Sequence, residues 1–252
     1  MFKGFNSLVA FLTIIPVKAG HNRLSEVADY LYLSPLVGAF IGFCAGLLAW
    51  FLLYAALPSL IVGVLTVALL FLITGLHHTD GLLDFGDGIM FQGSQNEKIK
   101  VMHDNQTGVG GWALGLIITL TVIFTISELS LSVIVQGLIV AEVSAKFSMV
   151  LAARVGRSAK EGINTPFVNV MHGRRGNLRL LVALILSLVI SVSLLNITGL
   201  LCLIAGVAVS LIVVGFSNIH FNGVTGDVFG ASNEFARMAS LMTVLGVTLW
   251  IL

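Results

Sequence analysis

Residues 31–76 read LYLSPLVGAFIGFCAGLLAWFLLYAALPSLIVGVLTVALLFLITGL. Two apolar runs, Leu31–Leu57 and Leu60–Leu76, are joined only by Pro58 and Ser59. A helix crosses the roughly 30 Å hydrocarbon core of a bilayer with about 20 apolar residues. The stretch therefore predicts a transmembrane helical hairpin. Working outward, five more stretches have the same character: Trp112–Leu129, Leu131–Ala153, Leu178–Leu195, Leu200–Phe216 and Phe235–Leu252. The expected fold is all-α, a polytopic transmembrane helical bundle of about seven spans, forming one integral membrane domain over residues 1–252.

Composition agrees. Of the 252 residues, 57% are hydrophobic and 10% charged, and the mean hydropathy is +1.04. A soluble domain carries roughly 25% charge. The net charge of +1 supplies no field that would attract nucleic acid. Cys44 and Cys202 both lie inside apolar runs, as small buried hydrophobes rather than as a disulfide or a metal pair.

Ser127–Ser130 and Asn196–Gly199 are further tight connections like Pro58–Ser59. The polar connections are 1–30, 77–111, 154–177 and 217–234. Threading seven spans puts all four polar segments on one side and the three tight turns on the other. All 13 Lys and Arg then fall on or near the polar side: Lys3, Lys18, Arg23, Lys98, Lys100, Lys146, Arg154, Arg157, Lys160, Arg174, Arg175, Arg179 and Arg237. The positive-inside rule makes that side cytoplasmic, in the cell membrane. Of the 12 acids, only Glu128 falls in an opposite-side turn. The short apolar run from Ser7 to Val17 behind Lys3 cannot span, and membrane rather than a secreted domain follows it. It is expected to be an interfacial or re-entrant segment.

The second span runs into Gly75-Leu-His-His-Thr-Asp-Gly-Leu-Leu-Asp-Phe-Gly-Asp-Gly88. On a helix, Asp80, Asp84 and Asp87 stand at i, i+4 and i+7 and form one acidic stripe. Such a stripe near lipid needs compensation. Oxygen-only donors suit Mg2+ or Mn2+. His77 and His78 are candidates for metal ligation or for a hydrogen bond to phosphate. The alternative is a solvated helix end with ordinary surface carboxylates.

Met102-His-Asp-Asn-Gln-Thr-Gly-Val-Gly-Gly111 follows. Gly108, Gly110 and Gly111 stand just before a span, where backbone N–H groups can meet an anion. Glycine-rich turns are also common without ligands. Asp104 adds a fourth carboxylate. Glu142 and Lys146 stand four apart inside a span, a functional-site candidate or a structural pair. In Gly223-Val-Thr-Gly-Asp-Val-Phe-Gly-Ala-Ser-Asn-Glu234, Asp227 follows Thr225 and Gly226 among small residues that permit close packing. Acids from the 80s, 104 and 227 can thus converge on one or two cations. Clustered carboxylates with a divalent cation suggest phosphoryl or nucleotidyl chemistry. No P-loop or serine–histidine–acid signature is apparent, so the energy must come from an activated substrate.

The sequence resembles the cobalamin synthase (adenosylcobinamide-GDP ribazoletransferase) family. His78–Gly88 is similar to its H-x-D-G-L-x-D-x-x-D-G motif, Met102–Gly111 to M-x-D-x-x-x-G-x-x-G, and Thr225–Ala231 with Glu234 to T-G-D-x-x-G-A-x-x-E. Phe11-Leu-Thr-Ile-Ile-Pro16 resembles its F-x-T-x-x-P-like segment. The likeness runs from about residue 8 to 240, and the order of its motifs is more specific than any one of them. His103 and Gln106 depart from it, standing where basic residues are expected.

The resemblance implies a transferase that completes cobalamin. A hydroxyl of α-ribazole, or of its 5′-phosphate, attacks adenosylcobinamide-GDP; GMP leaves, and adenosylcobalamin or its 5′-phosphate forms. It implies Mg2+ as cofactor, with Asp80, Asp84, Asp87 and Asp227 at the metal. Asp104 and Asp227 orient the hydroxyl or support the metal, and His78 and Lys146 stabilise phosphate charge. Gly108, Gly110, Gly111, Thr225 and Gly226 complete the binding set. Two other readings use the same acids. A CDP-alcohol phosphotransferase would show D-G-x-x-A-R, but Asp80-Gly81 is followed by Leu82-Leu83-Asp84-Phe85. A cation transporter would carry its acids near the bilayer midplane. Small-residue faces such as Gly38-Ala-Phe-Ile-Gly42 allow helix packing within the chain or in a homo-oligomer.

Overall fold

The computed structural model describes residues 2–17, 24–104 and 106–251. Lys18, Arg23, Asn105 and Leu252 lie outside the described residues, as does the side chain of Lys3. The chain runs through α1 (Phe2–Leu12), α2 (Leu24–Asp29), α3 (Ser34–Tyr54), α4 (Ser59–Thr74), α5 (His77–Met90) and α6 (Gln95–Met102). It continues through α7 (Val109–Ser127), α8 (Ile134–Val155), α9 (Thr165–His172), α10 (Gly176–Phe221) and α11 (Gly226–Ile251).

Each of the seven apolar stretches forms helix over most of its described length. By length and composition, four helices among the described residues can cross a membrane unaided: α3 with its lead-in from Leu31, α7, α8 and α10. The bent pair α4 and α5 makes a fifth if taken as one span. Seven crossings were read from the sequence, and the difference lies in three elements: α11, whose first half carries Asp227, Glu234 and Arg237 and which is not among these spans, α4 and α10. With 16 residues, α4 is about 24 Å long at 1.5 Å per residue. In turn, α10 runs over 46 residues through a break in its helical geometry at Leu195 and Asn196. Asn196 has φ +49°, and Gly199 lies against the Ser191 carbonyl. Eight residues along a straight helix would stand about 12 Å apart, so the chain reverses at Asn196, where the sequence placed a tight turn.

At the centre lies α8. From Val140 to Ala153 every residue is buried, because α3, α10 and α11 all pack on it. Small residues allow this. A side chain at Gly38 would collide with the Glu142 carbonyl, and one at Gly42 with that of Leu138. The Gly38–Gly42 face is thus used within the chain. The outside of the bundle carries large exposed apolar residues, among them Phe40, Phe51, Ile117, Ile185, Val189 and Ile204. That surface suits lipid, not water.

The N-terminal segment forms α1, an 11-residue helix too short to span. Leu8 and Leu12 are buried, and Ile14 N donates to Ile73 O at 2.8 Å, tying the segment to the end of α4. There Gly75 and Leu76 both adopt left-handed backbone, with φ +61° and +63°. That conformation is costly for leucine. Its effect is a 96° bend between α4 and α5, which swings the acidic stripe across the bundle.

Candidate active site

The stripe on α5 faces α11. Gly81 and Gly230 are the contact points: a Cβ on Gly81 would stand 2.9 Å from both Cα and O of Asp227, and one on Gly230 2.8 Å from His78 O. Only glycine allows so close a crossing, and it brings Asp227 against the stripe. Thr225 precedes α11 and accepts a hydrogen bond from Val228 N at 3.4 Å, in the manner of a helix cap. Its hydroxyl donates to Asp227 Oδ2 at 3.1 Å. Asp84 is half-buried, and the charges acting on it are those of Asp227, Asp80 and Asp87, all of its own sign. Asp80 is exposed.

Asp87 behaves differently from its neighbours. It is buried, and both of its oxygens accept backbone hydrogen bonds. Gly108 N donates to Oδ2 at 2.6 Å and Gly111 N to Oδ1 at 2.8 Å. Gly108 is the N-cap of α7, so the carboxylate occupies the anion-binding position at that helix start. The amides that the sequence offered to an external anion at Gly108 and Gly111 are held by the protein's own acid. The turn is delivered by α6, which begins with a capping box in which Ser94 N donates to Glu97 Oε2 at 2.8 Å.

Two depressions flank α5. A cavity of about 450 Å3 lies under α1, α2 and α9, with Asp80, Asp227, Gly226, His77 and His78 in its wall. A more open cleft of about 790 Å3 is lined by Asp87, Asp104, Gly108 and Gly110 among others. The sequence-read residues are therefore divided: Asp80, Asp227 and His78 face one depression, while Asp87 and Asp104 face the other. His103 reaches back over the start of α11, its Nδ1 3.9 Å from Asp227 Oδ2. The sequence flagged His103 only as a departure from the family pattern.

Lys146 is elsewhere. It is wholly buried, and its ammonium donates to Asn233 Oδ1 at 2.7 Å and Glu142 Oε2 at 3.3 Å. Arg237 pairs with both Glu142 and Glu234. Two acids and two bases thus close into a neutral buried network, as charges removed from water require. The sequence pointed to Glu142 and Lys146 as an intramembrane pair. It gave no sign that Arg237, Asn233 and Glu234 complete it. His78 stands near this network, with the charges of Lys146 and Arg237 acting on it. Among the described residues, the buried His78 Nε2 and Arg237 Nη2 have no hydrogen-bond partner.

Among the described residues no three carboxylate, histidine or cysteine side chains form a ready-made metal cage. Mg2+ does not demand one. It commonly keeps several waters and binds through one or two carboxylates plus substrate phosphates. The half-buried Asp84 beside Asp80 and Asp227 supplies oxygen donors of that kind.

Comparison with known proteins adds identity to this geometry. The family model for cobalamin-5-phosphate synthase matches residues 4–245. The adenosylcobinamide-GDP ribazoletransferase of Methanocella arvoryzae is 33% identical, over 99% of this chain and 97% of its own. Those of Methanococcoides burtonii (31%; 93% and 88%) and Thermococcus kodakarensis (32%; 98% and 99%) are similarly alike. No solved structure matches. Matches across nearly the whole of both chains leave no part of the bundle outside the likeness, and the chain belongs to the cobalamin-5-phosphate synthase family.

Proposed function

We propose that the chain is an adenosylcobinamide-GDP ribazoletransferase. It joins adenosylcobinamide-GDP to α-ribazole or its 5′-phosphate and releases GMP. The observation that carries this reading is the near-full-length likeness to relatives of that name, in a chain whose α5 and α11 present Asp80, Asp84 and Asp227 together. Neither rival reading finds support among those relatives.

In the reaction a ribazole hydroxyl oxygen attacks the phosphorus next to cobinamide. The phosphoanhydride bond breaks, GMP keeps the bridging oxygen, and the hydroxyl proton is released. Little covalent work falls to the protein, so catalysis rests on positioning and charge. Asp84 together with Asp80 or Asp227 would hold Mg2+, which when bound would neutralise phosphate charge. Asp227, steadied by Thr225, orients the attacking hydroxyl, with His103 beside it. Asp87 does not bind substrate in this scheme. It shapes the turn from Gly108 to Gly111 beneath the open cleft. The cation-rich side, which carries these residues, is cytoplasmic, and the bilayer is the cell membrane.

The test is direct. Purified protein in detergent or liposomes is mixed with adenosylcobinamide-GDP, α-ribazole and Mg2+, and GMP and the corrinoid product are followed by mass spectrometry. Mg2+-dependent product that disappears in Asp84→Ala supports the reading. Folded protein that yields no product with ribazole or its phosphate overturns it.

A further inference from the structure

We propose that the 450 Å3 cavity beneath α1, α2 and α9 is the ribazole subsite, with the aromatic base seated among Phe11, Phe167 and Phe229 and the ribose hydroxyls toward Asp80 and Asp227. This rests on the transferase reading above and adds which substrate enters which depression.

Three observations carry it. The first is size. Small-molecule sites occupy roughly 300–1,000 Å3, and this cavity sits at the lower end of that range. A ribazole fits there, whereas the corrinoid nucleotide is several times larger. The second is the lining. Phe11 and Phe167 lie with ring centroids 5.3 Å apart and tilted by 35°, and Phe167 meets Phe229 edge-on at 6.4 Å. A wall of tilted aromatic edges and faces suits another flat aromatic ring. It does not suit the charged phosphates of the other substrate. The third is polarity. Among the described residues of the lining, the charged ones are Asp80 and Asp227, with His77 and His78 as further ionisable groups. An aromatic body with a hydroxyl-bearing sugar therefore enters in one orientation, its base among the phenylalanines and its hydroxyls beside the acids.

The inference also gives Phe11–Pro16 a role that the acidic motifs do not. Phe11 closes α1 next to the cavity, and the backbone bond from Ile14 to Ile73 fixes that segment beside the α4–α5 bend. The N-terminal helix then roofs a binding site instead of merely resting on the bundle.

The test is to fill the cavity from its edge, using the full chain. Ala10 lines it and is only partly buried, so Ala10→Phe adds a ring without removing core. KM is measured separately for α-ribazole and adenosylcobinamide-GDP, and equilibrium dialysis of radiolabelled α-ribazole reads binding without turnover. The expected result is a ribazole KM raised at least about tenfold, the scale of one aromatic contact, with the corrinoid KM within about twofold. Phe167→Leu, a smaller change in the same wall, should shift ribazole KM in the same direction. If Ala10→Phe fails to fold, Ala10→Val and Phe167→Leu together decide the same question. Unchanged ribazole KM in folded variants, or a change confined to the corrinoid KM, overturns the proposal. If the wild type makes no GMP, the transferase reading fails, and dialysis judges the cavity alone. Ribazole bound by wild type and lost in Ala10→Phe would uphold the subsite; no binding to wild type would sink it.

Discussion

Asp87 caps α7 through Gly108, whose amide nitrogen lies 2.6 Å from the carboxylate. The second oxygen is engaged by Gly111 N at 2.8 Å, so the third acid of the α5 stripe serves as an internal anion for a helix start. Asp87→Asn turns one acceptor into an NH2 group facing a backbone N–H. One buried amide loses its partner, at a cost of about 1–3 kcal/mol. The unfolding temperature in detergent should fall, and turnover should drop while its Mg2+ dependence keeps the wild-type midpoint. A shifted Mg2+ midpoint with unchanged stability would instead make Asp87 a direct ligand.

Asp84 should show the opposite behaviour. It is half-buried among acids of its own sign, an arrangement that stability alone would not favour. Asp84→Asn removes one repelling charge and keeps the shape. Turnover should fall about 10²–10³-fold, the scale of one lost electrostatic group at a reacting centre, while the unfolding temperature holds or rises. A stable variant that retains wild-type kcat/KM would remove Asp84 from the chemistry.

The sequence made these local features readable because they depend on neighbours along the chain. Apolar run length predicts the helices, and the i, i+4, i+7 spacing of Asp80, Asp84 and Asp87 predicts their shared face. What could not be read is pairing across long separations. Nothing near Asp87 announces that residues 108 and 111 will meet it. Nothing near Lys146 announces Asn233, 87 positions away. Arg237 stands inside a predicted span, but Asn233 and Glu234 fall in the polar connection 217–234 before it, so nothing marked these charges as one group. The bend after α4 was also hidden. It depends on Leu76 taking a left-handed conformation that leucine does not favour.

Lys146 separates structure from chemistry. Lys146→Met leaves Glu142 and Glu234 to share Arg237 alone inside the bundle. Removing one member of a buried ion pair costs about 3–5 kcal/mol, so thermal unfolding should shift strongly downward. The fraction that remains folded should keep its KM for both substrates. A variant as stable as wild type but with a raised corrinoid KM would return the ammonium to the phosphate-binding role expected from the sequence.

The crossing of α5 and α11 makes the sharpest prediction, because it joins packing to catalysis in one position. A methyl group at Gly81 would stand 2.9 Å from Asp227 Cα and O, and both of those atoms are backbone, so no side chain can rotate away. The helices must separate. Overpacking of this kind costs about 1–3 kcal/mol, and a displacement of about 1 Å at a reacting centre can cost about a hundredfold in rate. Gly81→Ala should therefore lose far more kcat/KM than its modest drop in unfolding temperature explains. Gly230→Ala, which meets His78 O at 2.8 Å on the same seam, should reproduce the effect. Gly246→Ala in the same α11 helix, where nothing lies within 4 Å, should leave both quantities near wild type. Equal losses in all three would mean that glycine in α11 and α5 matters for the helices themselves. Loss only in the first two would tie activity to the distance between Asp227 and the α5 acids.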